Sequence, residues 1–217
     1  MEKRLEECVD LLVKRYGELS SCRGSIEEAY CVLEQSYEAG GKLLVCGNGG
    51  SASDSEHIVG ELMKEFKLKR KVFSTQAEAM KAIDGEMGGV LAQHLQGALP
   101  AITLTAHSSL TTAFMNDSEP VLVFAQQVNG YGKAGDVFLG ISTSGNSANV
   151  LYAAVTAKAR GLKVLGLTGG KENKLKKFCD VCIQVPETET YKIQELHLPV
   201  YHCLCMMLEE HFFGGKN

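Results

Sequence analysis

Apolar residues at three- and four-residue spacing open the chain: Leu5, Cys8, Val9, Leu12, Val13 and Tyr16, then Ile26, Ala29, Tyr30, Val32, Leu33 and Tyr37. That period predicts two amphipathic helices within residues 1–40, the second stopped by Gly40-Gly41. The pattern then changes. Short, nearly continuous apolar runs follow at residues 42–46 (KLLVC), 101–105 (AITLT), 137–141 (VFLGI), 164–168 (VLGLT) and 181–185 (VCIQV). Most of the gaps between them hold a helix of roughly 10–15 residues, the alternation of βαβ units in a parallel sheet. Continuous apolarity suits strands covered on both faces. Ile193, Leu196, Val200, Leu204, Met207 and Leu208 predict one long final helix from about Thr190 to Phe213, with Pro199 inside it as the place for a kink. Residues 67–99 carry no strand pattern and begin with a basic run, so they are read as a helical excursion or a lid. No repeat or linker divides the chain, and the expectation is a single α/β domain over residues 1–217.

Composition narrows the function classes. The chain has 217 residues, 45% of them apolar and 22% charged, and 22 basic against 26 acidic residues give a net charge of −4. A mildly acidic chain without a basic stripe does not call for nucleic acid. No run of 18 apolar residues calls for a membrane span, and the amino terminus lacks the apolar core of a secretory signal. A cytoplasmic location is expected, with the eight cysteines as thiols rather than a disulfide framework. Cys179 and Cys182 have CxxC spacing but no second pair to complete a four-cysteine zinc site, and Cys203 and Cys205 read as small core residues.

Two strand ends carry the candidate chemistry. After KLLVC comes Gly47-Asn48-Gly49-Gly50-Ser51-Ala52-Ser53, and after VFLGI comes Ser142-Thr143-Ser144-Gly145-Asn146-Ser147, each leading into a predicted helix. A strand, a turn of glycines and hydroxyls, and a helix N-terminus offer free N–H groups and a favourable dipole, which is a cradle for an anion. The lysine of a P-loop and the spacing of a dinucleotide turn are both missing, so the phosphate of a small molecule is a better candidate than ATP or NAD. His57 and Glu61 lie four apart on the helix after the first loop and share a face. Gln194, Glu195, His197 and His202 interrupt the apolar surface of the last helix. A carboxylate and an imidazole beside a phosphate cradle are the components of acid–base chemistry near neutral pH. His57, Glu61, Gln194 and His202 are also an N/O donor set for Zn²⁺, although glutamine is an uncommon ligand. Asn116-Asp117 reads as a helix end.

The stretches LLVCGNGGSASDSEHIVGEL, GDVFLGISTSGNSANV and YKIQELHLPVYH closely resemble the sugar isomerase (SIS) domain family. Within it they resemble the phosphoheptose isomerases, which convert sedoheptulose 7-phosphate to a D-glycero-D-manno-heptose 7-phosphate. The resemblance spans nearly the whole chain. It implies a three-layer sandwich around a central parallel five-stranded sheet, a homotetramer with active sites between subunits, and a sugar-phosphate ligand. Carried over by motif, the substrate contacts fall on Asn48, Gly49, Gly50, Ser51, Glu61, Asn116, Asp117, Ser142, Thr143, Ser144, Ser147 and Gln194. The metal ligands, for one Zn²⁺ per subunit, fall on His57, Glu61, Gln194 and His202, and the base and acid on Glu61 and His202; the choice of His202 over His197 comes from the resemblance. Two departures stand out: Glu65, flanked by Lys64 and Lys67, occupies a position where many family members have arginine, and residues 67–99 are longer than in the shorter members. A nearby lysine is expected to supply that arginine's charge. The rival class is a non-catalytic SIS module that binds a sugar phosphate or docks on a replication initiator; such a chain has no need of the ionisable set, whose presence favours the enzyme.

Overall fold

A computed structural model of the protein describes residues 3–215. The amino-terminal pair is α1 (Lys3–Arg15) and α2 (Arg23–Glu38), joined by a 3-10 turn at Gly17–Cys22. Then come β1 (Leu43–Cys46), α3 (Gly50–Met63), α4 (Ser74–Ile83), α5 (Gly85–His94) and β2 (Ala101–Thr103). The chain continues through α6 (Ser108–Asp117), α7 (Val123–Tyr131), β3 (Val137–Ile141), α8 (Ala148–Ala159), β4 (Lys163–Gly169), β5 (Val181–Val185) and α9 (Thr190–Phe213). Residues 67–99, read as an excursion or lid, thus contain two helices, α4 and α5. The predicted run at 101–105 shortens to Ala101–Thr103, because the chain turns at Leu104–Thr105, where Thr105 N–H bonds back to the Thr103 hydroxyl.

Among the described residues the strands form one parallel sheet in the order β2-β1-β3-β4-β5. The period of two sorts its residues between layers. Leu43, Val45, Leu139 and Ile141 pack with α1, α2, α3 and α9 on one face, whereas Leu44, Cys46, Phe138 and Val164 pack with α7 and α8 on the other. These strands are buried along their length, as two covered faces require.

The order has a functional consequence. The chain leaves β1 for β2 on one side, then crosses back to β3 on the other. The connections after β1 and β3 therefore diverge and open a crevice at the carboxyl ends of these adjacent strands, the usual ligand position in such sheets. The two polar loops of the sequence are these two connections.

Candidate active site

The loops after β1 and β3 are tied to each other. Asn48 and Asn149 exchange amide hydrogen bonds at 3.0 and 2.8 Å, bridging the crevice. Gly49 starts α3 at φ +56, and Gly145 turns the second loop at φ +61, both in the left-handed region. At Gly145 a side chain is also excluded by contact, since a Cβ would lie 2.3 Å from the Asn173 amide carbon. Ser142 is buried and its hydroxyl lies 3.0 Å from that of Ser147, the residue preceding α8. Thr143 and Ser144 line a cavity of about 290 Å³ with Gly169, Thr190 and Ile193. Asn48 and Gly49 line a second one, of about 320 Å³, with Met115 and Asn149. Asn116 and Asp117 are exposed at the end of α6, beside Met115, and hydrogen-bonded to each other at 2.8 Å. Ser51 is buried in the first turn of α3.

The ionisable group gathers where α3 packs along α9. His57 Nε2 lies 3.1 Å from Glu61 Oε1 and 3.4 Å from His202 Nε2. The two imidazoles meet edge to face with centroids 4.9 Å apart. Partial burial lowers the pKa of His202, and a charge on His57 would lower it further, against the opposing pull of Glu61. Lys64 Nζ reaches the other Glu61 oxygen at 3.4 Å. A carboxylate and two imidazoles thus share one centre.

Gln194 is placed elsewhere. Its amide abuts Gly50, where a Cβ would lie 2.6 Å from Nε2, so it borders the first loop. Eight residues of helix, about 12 Å of rise, separate it from His202. Within one chain the fold groups His57, Glu61 and His202 and holds Gln194 against Gly50 of the first loop. His197 points into the core, fully buried, and burial drops its pKa to about 4.

No group of three His, Cys, Asp or Glu among the described residues has the arrangement of a formed metal site. The donor chemistry nevertheless suits one. His57 Nε2 has a carboxylate oxygen at 3.1 Å and a second imidazole nitrogen at 3.4 Å, which concentrates lone pairs around it, and N/O sets of this kind are ordinary zinc ligands.

Four contributors escaped the sequence reading. Asp54 and Tyr201 stand behind His57: Tyr201 Oη lies 3.0 Å from His57 Nδ1 and donates to Asp54 Oδ1 at 3.3 Å. Arg70 and Glu209 brace the end of α3. The Arg70 guanidinium donates to the carbonyls of Glu61 and Leu62, each at 2.8 Å, and to Glu209 at 2.7 Å. Glu209 also accepts from the backbone N–H of Phe66, Lys67 and Leu68. Burial opposes ionisation of Glu209, but these N–H donors and Arg70 outweigh it and hold its carboxyl below the usual range. Asp54 was legible by its i, i+3 place before His57; Tyr201 meets His57, and Glu209 meets Arg70, only across 139 residues or more.

The chain matches the SIS-domain family model over residues 74–169. It is 36% identical to the phosphoheptose isomerase of Synechocystis, over 100% of this chain and 97% of the relative. That of Helicobacter pylori is 39% identical over 92% of this chain and 90% of its own. A solved phosphoheptose isomerase from Neisseria gonorrhoeae superposes with TM-score 0.71 at 31% identity, covering 95% of both chains. One from Francisella tularensis gives 0.74 at 28% identity, over 95% of this chain and 97% of its own.

Proposed function

We propose that this chain, which belongs to the phosphoheptose isomerase family of SIS-domain proteins, interconverts sedoheptulose 7-phosphate and D-glycero-D-manno-heptose 7-phosphate. The single observation that carries the reading is the meeting of Glu61 and His57 of α3, the helix that the first loop opens, with His202 of α9. The loops account for binding. Hydroxyls of Ser142, Thr143, Ser144 and Ser147, with N–H groups at the start of α8, receive the phosphate, and that remote grip positions the reacting carbons. Asn48, Gly49, Gly50, Ser51, Asn116, Asp117 and Gln194 border the sugar.

Aldose–ketose interconversion moves a proton between adjacent carbons through an enediol. Glu61 takes the proton from one carbon and returns it to the other, and His202, neutral near pH 7, gives and receives the proton of the neighbouring oxygen. His57, Glu61 and His202 would hold Zn²⁺. Bound there, zinc would supply a Lewis acid for the substrate carbonyl. Lys64 offsets the charge of Glu61 from the solvent side.

The same reading carries a homotetramer and a cytoplasmic setting. Ile83 and Met87, 88% and 64% exposed on the α4–α5 hairpin, are apolar surface that assembly would cover. Eight free thiols suit a reducing compartment.

Incubation with sedoheptulose 7-phosphate should yield an aldose phosphate. Glu61→Gln should lower turnover at least ~10²-fold with ligand binding kept. Ligand binding without turnover in the wild type would instead leave a non-catalytic sugar-phosphate module.

A further inference from the structure

The hydrogen bonds behind His57 have a direction that is set at their far end. Tyr201 Oη donates to Asp54 Oδ1 at 3.3 Å. A phenol has a single hydrogen, so toward His57 the same oxygen acts as an acceptor only. With the phenol hydrogen given to Asp54, a hydrogen bond across the 3.0 Å between that oxygen and His57 Nδ1 takes its hydrogen from the ring. In the neutral ring this leaves Nε2 as a bare lone pair. Nε2 is the nitrogen that faces Glu61 at 3.1 Å and His202 at 3.4 Å. The opposite tautomer would place a hydrogen at the centre of the site and occupy the lone pair.

The phenol is held for this role. Tyr201 is 2% exposed, and its ring stands edge-on to both His57 and His202, at 5.5 and 5.0 Å between centroids. Asp54 Oδ2 is buried without a hydrogen-bond partner, so this carboxylate spends its bonding on Tyr201. Asp54 and His57 sit one turn apart on α3, while Tyr201 comes from α9. Packing of the two helices thus closes the relay.

We propose that Tyr201, oriented by Asp54, is a positioning residue that fixes His57 in its Nδ1–H tautomer and keeps Nε2 free of hydrogen at the centre of the site. The proposal rests on the functional reading above and extends it by assigning two residues that do not touch the reacting atoms. A ligand imidazole whose second nitrogen is held in this way binds metal better, and loss of such a partner typically weakens binding about 10–100-fold.

The test uses full-length protein, free of metal and labelled with ¹⁵N in histidine, at a pH where His57 is neutral. Long-range ¹H–¹⁵N spectra of the wild type should show hydrogen on Nδ1 and a bare Nε2. Tyr201→Phe, which keeps the ring, should move hydrogen onto Nε2. Asp54→Ala should do the same with the tyrosine intact, because the freed phenol hydrogen then turns to Nδ1; it also serves if Tyr201→Phe does not fold. An unchanged tautomer in the folded variants overturns the proposal. Zinc titration against a competing chelator should show affinity about 10–100-fold weaker in Tyr201→Phe, and equal affinity despite a shifted tautomer would also overturn it. A wild type that takes up no zinc overturns the metal reading alone, and the spectra then decide the positioning role.

Discussion

Removing Arg70 should loosen the end of α3 on which Glu61 sits. The Arg70 and Glu209 side chains are 0% and 1% exposed, 2.7 Å apart. Deleting one partner of a buried pair costs about 3–5 kcal/mol, because the other charge is stranded. In Arg70→Ala, Glu209 keeps its three backbone donors, which places the loss toward the lower end, about 3 kcal/mol. At about 2–4 °C per kcal/mol for a chain of this length, the melting temperature should fall by roughly 6–12 °C. The usual remedy, an apolar pair of similar volume, should not restore stability here. Arg70→Met with Glu209→Met would orphan the N–H groups of Phe66, Lys67 and Leu68, each costing about 1–3 kcal/mol. Urea unfolding of Arg70→Ala and of the double variant measures this directly. A double variant as stable as the wild type would refute the reasoning, since the carboxylate would then be no more than half of a replaceable ion pair. The pH dependence has a definite sign. The Glu209 carboxyl lies below its unfolded value of 4.5, so its stabilisation is complete above that value and is lost as pH falls through the folded pKa.

Two further predictions concern groups outside the chemistry. His197 is buried with its pKa lowered from 6.5 to about 4, so the unfolded chain binds the extra proton, and about 3 kcal/mol present above pH 6.5 should drain away as pH falls toward 4. His197→Leu should flatten that part of the urea-midpoint profile, and an unaltered slope would contradict the assignment. The Cys182 thiol is lowered to about 7, first by its hydrogen bond from Cys179 and against the effect of burial, with help from Thr168 and Lys176. Burial raises the other thiols, except Cys179, which is raised first by that same hydrogen bond. Iodoacetamide at pH 7.5 should therefore modify Cys182 first, with a rate that rises through pH 7 and a fast phase absent from Cys182→Ser. Faster labelling of the more exposed Cys31 would contradict this.

Local pattern alone determined much of this protein. The 3.6-residue period of α1, α2 and α9 and the continuous apolar runs of the strands are properties of neighbouring residues, and the long last helix runs from Thr190 to Phe213 as its spacing predicts. The glycine and hydroxyl turns were legible for the same reason, because positive φ at Gly49 and Gly145 and free N–H groups at a helix start are local requirements. Tertiary structure decided which distant groups meet. The strand order set the two loops side by side, and the packing of α3 along α9 brought His202 and Tyr201 to His57, 145 and 144 residues away. It also buried His197 rather than His202, two residues that helical spacing cannot rank without knowing which face the neighbouring helix covers. Nothing in the linear sequence sets Arg70 and Glu209 apart from the other charged residues, since the value of a charge is set by the solvent and partners around it. Those exist only once α9 is laid against the end of α3.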